Sequence, residues 1–197
     1  MKCLELTILS TLLLTALSGF TAVHGQEPSE AELMKKWEEF KTPGPEHKQL
    51  EYKLGEWNIK TVMWMAPGAP PAQSTGKATF EMIMDGRFLI DRTRGTFNGM
   101  PFEGRGMTGF NNHTLQFESH WVDNFGTGFM IGNGSFNAEK KEWHFKFRTI
   151  DPMTGKMVHS RSIEKIVNDN TWVMTMFNSL PDGGEFKTLE ITYNRAK

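Results

Sequence analysis

The sequence predicts an all-β fold, an antiparallel up-and-down barrel of about ten strands with a short N-terminal helical segment. Three observations predict it. From residue 57 onward, hydrophobic residues recur with a period of two, which is the period of a half-buried strand. Turn signals such as Asp85-Gly86 and Asn98-Gly99 separate these stretches. No helical pattern interrupts them, so successive strands are expected to pair as antiparallel neighbours, and closure into a barrel would hide both sheet edges. A two-sheet sandwich is the alternative.

The first element, residues 1–25, has the pattern of a secretory signal peptide. Lys2 precedes a mostly apolar run over residues 4–17, and Val23-His24-Gly25 suits cleavage before the next residue. The apolar run is shorter than the ~20 residues of a spanning helix. We therefore expect an exported protein, periplasmic or secreted, with no integral membrane span in the mature chain. An uncleaved N-terminal anchor is the alternative. Cys3, the only cysteine, lies inside this segment, so the mature domain would contain no disulfide.

Residues 26–45 are predicted to form an amphipathic helix and a Pro/Gly linker. Leu33, Trp37 and Phe40 recur at helical spacing, and charged residues fill the other face. A short helical turn then opens the barrel domain, residues 46–197.

The predicted strands follow in order, each bounded by turn residues. The seventh alternates most clearly, with Trp143, Phe145 and Phe147 on one face and charged residues on the other. The fourth carries Gly104 and Gly106 on one face, which indicates a bend or a close approach of another group to the backbone. The strands are predicted over residues 57–63, 75–84, 88–97, 102–110, 115–123, 128–136, 143–148, 157–167, 172–178 and 186–194.

Charge and motifs exclude several classes of function. The chain has 22 Lys plus Arg against 23 Asp plus Glu, a formal net charge of −1, which gives no electrostatic case for a nucleic-acid partner. The sequence contains no Walker loop, dinucleotide fingerprint, Gly-x-Ser-x-Gly elbow or paired-histidine metal motif. No catalytic residue is therefore predicted, and the oligomeric state is not specified.

A barrel of this size is either filled by its side chains or holds one small ligand. The in-phase residues are aromatic or flexible, and the chain has 13 Met. A solid core and a pocket for an apolar molecule both remain open. The candidate ligand-binding residues are Phe80, Met82, Arg94, Phe117, Trp121, Trp143, Phe145, Arg161, Trp172 and Met174.

Charged residues interrupt the third predicted strand at Asp91, Arg92 and Arg94. If the arginines share the face of Phe88 and Ile90, they lie inside the barrel and need a partner. One hypothesis is that Arg94 anchors the carboxylate of a fatty-acid-like ligand. The alternative is an outward charge.

His159 is the best single candidate for a haem or metal ligand, because one inward imidazole suffices to hold haem in an apolar barrel. Its neighbours leave its face ambiguous. No cofactor is otherwise indicated.

The start of the first strand, Gly55-Glu56-Trp57, resembles the signature of the lipocalin and wider calycin superfamily. In that group the tryptophan closes one barrel end and is crossed by a basic residue from the last strand. The resemblance implies that Trp57 and Arg195 form this closure, with a cation–π contact worth ~0.5–2 kcal/mol.

A closer resemblance covers about residues 43–197. It is to an uncharacterised bacterial family, domain of unknown function 1579, and it implies a compact β-barrel with no established activity. No catalytic residues can be carried over from it. The matching segments are Pro45-Glu46-His47, Gly55-Glu56-Trp57, Met65-Ala66-Pro67-Gly68, Gly99-Met100-Pro101-Phe102-Glu103-Gly104, Asp151-Pro152-Met153-Thr154-Gly155-Lys156 and Glu185-Phe186-Lys187-Thr188.

The leading expectation is non-enzymatic binding or carriage of a small apolar or amphipathic molecule, lipid-like or haem, in the barrel lumen of a protein of the cell envelope. The second is an envelope interaction protein with a filled barrel, whose Leu33, Trp37 and Phe40 stripe docks a partner. The third is an enzyme with polar groups at the barrel mouth.

Overall fold

The structure is a computed structural model that describes residues 27–180 and 183–197. The predicted signal peptide, residues 1–25, lies outside the described residues. Two helices and one 3₁₀ turn precede ten strands. The bounds are α1 (Glu30–Lys41), α2 (Pro45–Gln49), the 3₁₀ turn (Leu50–Lys53), β1 (Gly55–Met63), β2 (Ala72–Ile83), β3 (Phe88–Phe97), β4 (Met100–Asn111), β5 (Gln116–Asp123), β6 (Met130–Asn137), β7 (Glu142–Ile150), β8 (Met157–Asn168), β9 (Thr171–Ser179) and β10 (Glu185–Arg195).

The ten strands form one closed antiparallel barrel in which each strand pairs with its neighbours in sequence. The ring closes where β1 pairs with β10, from Trp57 opposite Arg195 to Met63 opposite Leu189. This closure confirms the predicted up-and-down barrel and excludes the sandwich. It also leaves the sheet with no open edge.

Residues with a positive φ angle occur at the Asn98-Gly99 turn and at the Gly-x-Trp segment. Asn98 and Gly99 have φ values of 48° and 77°, as a two-residue type I′ hairpin requires. Gly55, at the start of β1, has a φ of 101°, which side chains rarely tolerate. The glycine of the Gly-x-Trp segment therefore allows the chain to turn from the 3₁₀ turn into the barrel wall.

The inner face of the barrel carries the core, as the period-two pattern predicts. Several large inner side chains lie flat against a glycine of the neighbouring strand. A Cβ on Gly104 would overlap the Trp121 indole, and one on Gly132 would overlap the Phe147 ring. The buried hydrophobic core consists of Leu50, Trp57, Ile59, Ala78, Phe80, Leu89, Phe117, Trp143, Phe145, Phe147, Trp172 and Tyr193.

One end of the barrel is plugged by the segment that precedes β1, and we call this end the floor. Leu50 is 0% exposed there. The Trp57 indole donates to the Lys53 carbonyl at 2.7 Å, and the Arg195 guanidinium lies 4.2 Å from the Trp57 ring. Arg195 also donates to the carbonyls of Leu54 and Tyr52, so the last strand is tied to the plug. The closure that the calycin resemblance implied for Trp57 and Arg195 is present.

Helix α1 is attached to the floor only through its C-terminal end. A capping box formed by Ser29 and Glu32 starts it, and none of its residues is buried. The Asn112 side chain donates to carbonyls at its C-terminal end, at distances of 2.8–3.1 Å, and the Phe40 ring stacks on His113 at 4.4 Å. Trp37 remains 59% exposed.

Within the described residues, no helix has the length and apolar character that crossing a bilayer demands.

Candidate functional site

The lumen brings together most of the residues predicted to bind a ligand. Strand register places them on the inner wall with the core, alternating with outward residues along each strand. The inward set is Phe80, Met82, Phe117, Trp121, Trp143, Phe145, Trp172 and Met174.

Two predicted lining residues lie on the outside of the barrel instead. Arg94 faces outward, with its Nε 3.4 Å from Glu103 Oε2. Arg161 is also outside, where its guanidinium pairs with Glu185 and lies 4.1 Å from the Phe177 ring. The expectation of an inward arginine is therefore wrong, because the inward residues of β3 are Leu89, Asp91 and Thr93 rather than Phe88, Ile90 and the arginines.

His159 is exposed on the outer face of β8, so it cannot reach a haem in the lumen. His47 is buried at the floor, where its Nδ1 accepts the Gly44 N–H at 3.0 Å and its ring packs edge-on against Phe110. Burial lowers the pKa of His47. Across residues 27–180 and 183–197, no group of three or more metal-ligating side chains occurs.

At its base, the lumen contains a buried ion pair between Lys53 and Glu164. Lys53 enters from the 3₁₀ turn, and its Nζ lies between two indoles, 4.5 Å from the Trp143 ring and 4.9 Å from the Trp172 ring. The aromatic faces and the carboxylate together compensate the buried ammonium.

Asp91 lies on the same inner wall, flat against Gly106 of β4, where a Cβ would overlap its carboxylate. Burial raises the pKa of Asp91 to about 7; Lys53 opposes this rise and Glu164 adds to it. Burial, together with the negative charges of Asp91 and Glu164, also raises the pKa of Tyr193, so the phenol stays protonated. The base therefore holds a carboxyl group that exchanges its proton near neutral pH.

Two buried indole N–H groups at this base, Trp143 Nε1 and Trp172 Nε1, have no hydrogen-bond partner within the described residues. The same holds for Ser162 Oγ, which lies nearer the mouth opposite Met176, and for Gln49 Oε1 of α2. A buried donor without an acceptor costs about 1–3 kcal/mol. Trp172 stacks on Tyr193 at 3.6 Å and meets Phe80, the cross-strand neighbour of Asp91, at 5.8 Å. The indole N–H groups without an acceptor and the Asp91 carboxyl group thus belong to one cluster of side chains.

The opposite end, which we call the mouth, is less tightly closed. Inner-wall side chains there, such as Met176, Leu189 and Ile191, are only partly buried. Phe125, from the loop between β5 and β6, packs on Phe102 at 5.8 Å and forms an aromatic lip. Exposed apolar side chains occupy the loops and strand ends around it, among them Met65, Met100, Phe129, Ile150, Met153 and Met157.

A half-open concavity of about 760 Å³, which we call the outer concavity, is lined by outward residues of β2 to β5 and by some residues of the inner wall. The outward residues include Ile90, Arg92, Arg105 and Met107, and the inner-wall residues are Phe80, Asp91, Gly106 and Trp121. Both arginines contact Glu103, at 2.9 Å and 3.3 Å. The cations are thus already paired on an exposed surface, where ion pairs contribute little.

Sequence reasoning missed Asp91 and Lys53 as site residues. Asp91 was visible only as an interruption of an apolar strand, and Lys53 lies outside the strands altogether. Chemically, the site can enclose an apolar body, offer hydroxyl and indole donors, and exchange one proton through Asp91.

Solved structures with a similar fold were compared with the chain. A structure from M. tuberculosis, Rv2717c, matches at 16% identity with a TM-score of 0.54, over 79% of this chain and 100% of that one. A redesigned β-barrel, b11L5F_LGL, matches at 12% identity with a TM-score of 0.38, over 76% and 96%. A structure of EF1p2_mFAP2b bound to DFHBI matches at 11% identity with a TM-score of 0.40, over 77% and 99%. The first likeness supports the fold, and the other two carry no argument.

Among curated proteins, none matches this chain in sequence. The sequence profile of one family, described as a protein of unknown function (DUF1579), matches residues 42–195. That span holds the floor plug and every strand of the barrel, and the chain therefore belongs to the DUF1579 family.

Proposed function

We propose that this protein binds a small amphipathic molecule inside the barrel lumen, in the cell envelope or outside the cell. The observation that carries the proposal is the contrast within one lumen: apolar inner side chains stay accessible at the mouth, while buried donors have no partner near the base. A ligand that enters at the mouth would bury its apolar body against the methionines and offer its polar end to the donors.

The size of a ten-stranded barrel also favours the binding of a ligand in its lumen. Barrel diameter grows with strand number, and an eight-stranded barrel is already wide enough either to be filled by side chains or to hold one small ligand, so ten strands enclose more space. Four inner side chains, those of Asp91, Trp121, Phe145 and Phe147, lie flat against glycines of neighbouring strands. Methionine adapts to ligands of different shape at little cost.

The proposal is tested with a fluorescent apolar probe, N-phenyl-1-naphthylamine, added to the full-length protein. We expect saturable enhancement of its fluorescence. Met176→Trp fills the lumen and should weaken probe binding about tenfold. Met107→Trp places the same side chain in the outer concavity and should leave binding unchanged.

Absence of saturable enhancement in the wild-type protein would overturn the proposal. Loss of binding in Met107→Trp but not in Met176→Trp would move the site to the outer concavity. A native mass spectrum of protein purified from its own host should contain a bound small molecule, and a change in the mass of that molecule over time would indicate an enzyme instead of a carrier.

A second candidate function is docking of a partner through α1. The observation that favours it is the exposure of Leu33, Met34 and Trp37, which exceeds half of each side chain. Exposed apolar stripes of this kind are typical of interaction sites. The same native mass spectrum distinguishes the two, because a docking protein would carry a second polypeptide and no small molecule.

A further inference from the structure

The lumen wall has a charge bias that the sequence alone did not suggest. Along the described strands, the arginines and lysines point outward, as Arg94 and Arg161 do, except Arg195, which lies over the Trp57 ring at the floor. The inward carboxyl groups are Asp91, Asp123 and Glu164, whose register matches that of inward core residues. Among the described residues, the cation whose charged end lies within the lumen is Lys53, and Glu164 already pairs with it.

We propose that the lumen selects ligands whose polar end is neutral or cationic, an alcohol or an amine, and that Asp91 receives that end. This inference rests on the proposed function. It assigns to Asp91 the role that the sequence had suggested for an arginine, with the opposite charge preference.

The electrostatic reason is that a carboxylate ligand would bring a further negative charge into a low-dielectric space with no unpaired cation to meet it. Like charges that face each other away from water are strongly unfavourable. An ammonium or hydroxyl group instead donates to the Asp91 carboxylate. A hydroxyl group also accepts, so it can satisfy the unused donors of Trp172 and Trp143.

Position supports the same assignment. Asp91 lies flat on Gly106, and its strand neighbour Phe80 contacts both Trp172 and Tyr193. The carboxyl group is therefore fixed at the edge of the aromatic base, below the accessible methionines. An amphiphile that places its chain along Met174 and Met176 would bring its polar end toward this level of the barrel.

The test is competition against bound N-phenyl-1-naphthylamine by three compounds with the same twelve-carbon chain: dodecanol, dodecylamine and dodecanoate. At neutral pH we expect the alcohol and the amine to displace the probe at concentrations about tenfold or more below that of dodecanoate. Asp91→Asn should reduce the advantage of the amine over dodecanoate at least several-fold. Asp85→Asn makes the same change at an exposed turn and should leave all three unchanged.

The wild-type protein gives an independent readout that needs no variant to fold. The groups that face Asp91 are Lys53 from the 3₁₀ turn, Glu164 from β8 and Tyr193 from β10. Of these groups, Asp91 changes charge near neutrality, so amine affinity should rise several-fold from about pH 6 to about pH 8 while alcohol affinity changes little.

Dodecanoate that competes as well as the amine, or an unchanged preference in Asp91→Asn, would overturn this inference while leaving the lumen site intact. Failure of all three compounds and of the probe itself would instead overturn the proposed function.

Discussion

The floor and the mouth of the barrel are built from different kinds of side chain. The floor holds large, fully buried groups, among them Trp57, Trp143 and Leu50, fixed by hydrogen bonds and ring contacts. The mouth is lined by flexible side chains such as Met176 and Leu189, which remain partly accessible. The packing at the floor therefore contributes most of the stability. The side chains at the mouth can in turn change conformation to fit a ligand.

The largest expected effect is a loss of stability caused by a substitution at the floor, the more tightly packed end of the barrel. Trp57→Ala removes a side chain that is 0% exposed, together with its bond to Lys53 and its contact with Arg195. We expect a loss of about 3–5 kcal/mol in the free energy of unfolding, measured in urea.

Met176→Ala is the matched change at the mouth, and it should cost about 1 kcal/mol because the side chain is only partly buried. Equal losses in the two variants would show that the ends do not differ in their contribution to stability.

The second prediction concerns Asp91, which lies at the edge of the aromatic base of the lumen. Because burial raises its pKa to about 7, the folded protein keeps a proton that the unfolded chain releases above about pH 4. The contribution of Asp91 to stability is therefore greatest below about pH 4 and falls as the pH rises to about 7.

Asp91→Asn removes this titration. The free energy of unfolding of the variant, minus that of the wild type, should rise with pH by an amount on the order of 3 kcal/mol between about pH 4 and pH 8. Urea unfolding of both proteins across this range measures it, and a pH-independent difference would mean that Asp91 ionises freely in the folded protein.

Much of the fold followed from the sequence, because ten alternating stretches without intervening helices leave few arrangements. The alternation of Trp143, Phe145 and Phe147 fixed the inner face of β7, since its other face is charged. Gly104 was correctly singled out: its missing side chain makes room for the Trp121 indole.

The phase of β3 could not be obtained in the same way, because this strand has large apolar residues on both faces. Phe88 and Ile90 point outward, where Phe88 packs over Gly109 of the next strand. Only the register of β3 with the neighbouring strands, which pairs Asp91 with Phe80 and Gly106, places the carboxyl group inside. Lys53 escaped prediction for a related reason, because its partner Glu164 lies more than one hundred residues away in a different element.

The smallest expected effect concerns helix α1, which contacts the floor only through its C-terminal end. Asn112 donates to the carbonyls of Glu39, Phe40 and Thr42, which would otherwise lack partners at the C-terminal end of α1. Asn112→Ala should therefore loosen the C-terminal end of α1, which keeps the Arg87 bond to the Lys41 carbonyl and the Phe40–His113 stack, and leave the barrel almost unaffected, with a change in unfolding free energy of about 1 kcal/mol or less.

Hydrogen exchange provides the measurement, since amides of α1 should exchange faster while those of β1 and β10 keep their protection. Asn98→Ala, in a hairpin at the mouth, is a control that should leave α1 unchanged. If α1 keeps its protection in Asn112→Ala, the Arg87 bond to the Lys41 carbonyl and the Phe40–His113 stack hold the helix without Asn112, and the prediction is wrong.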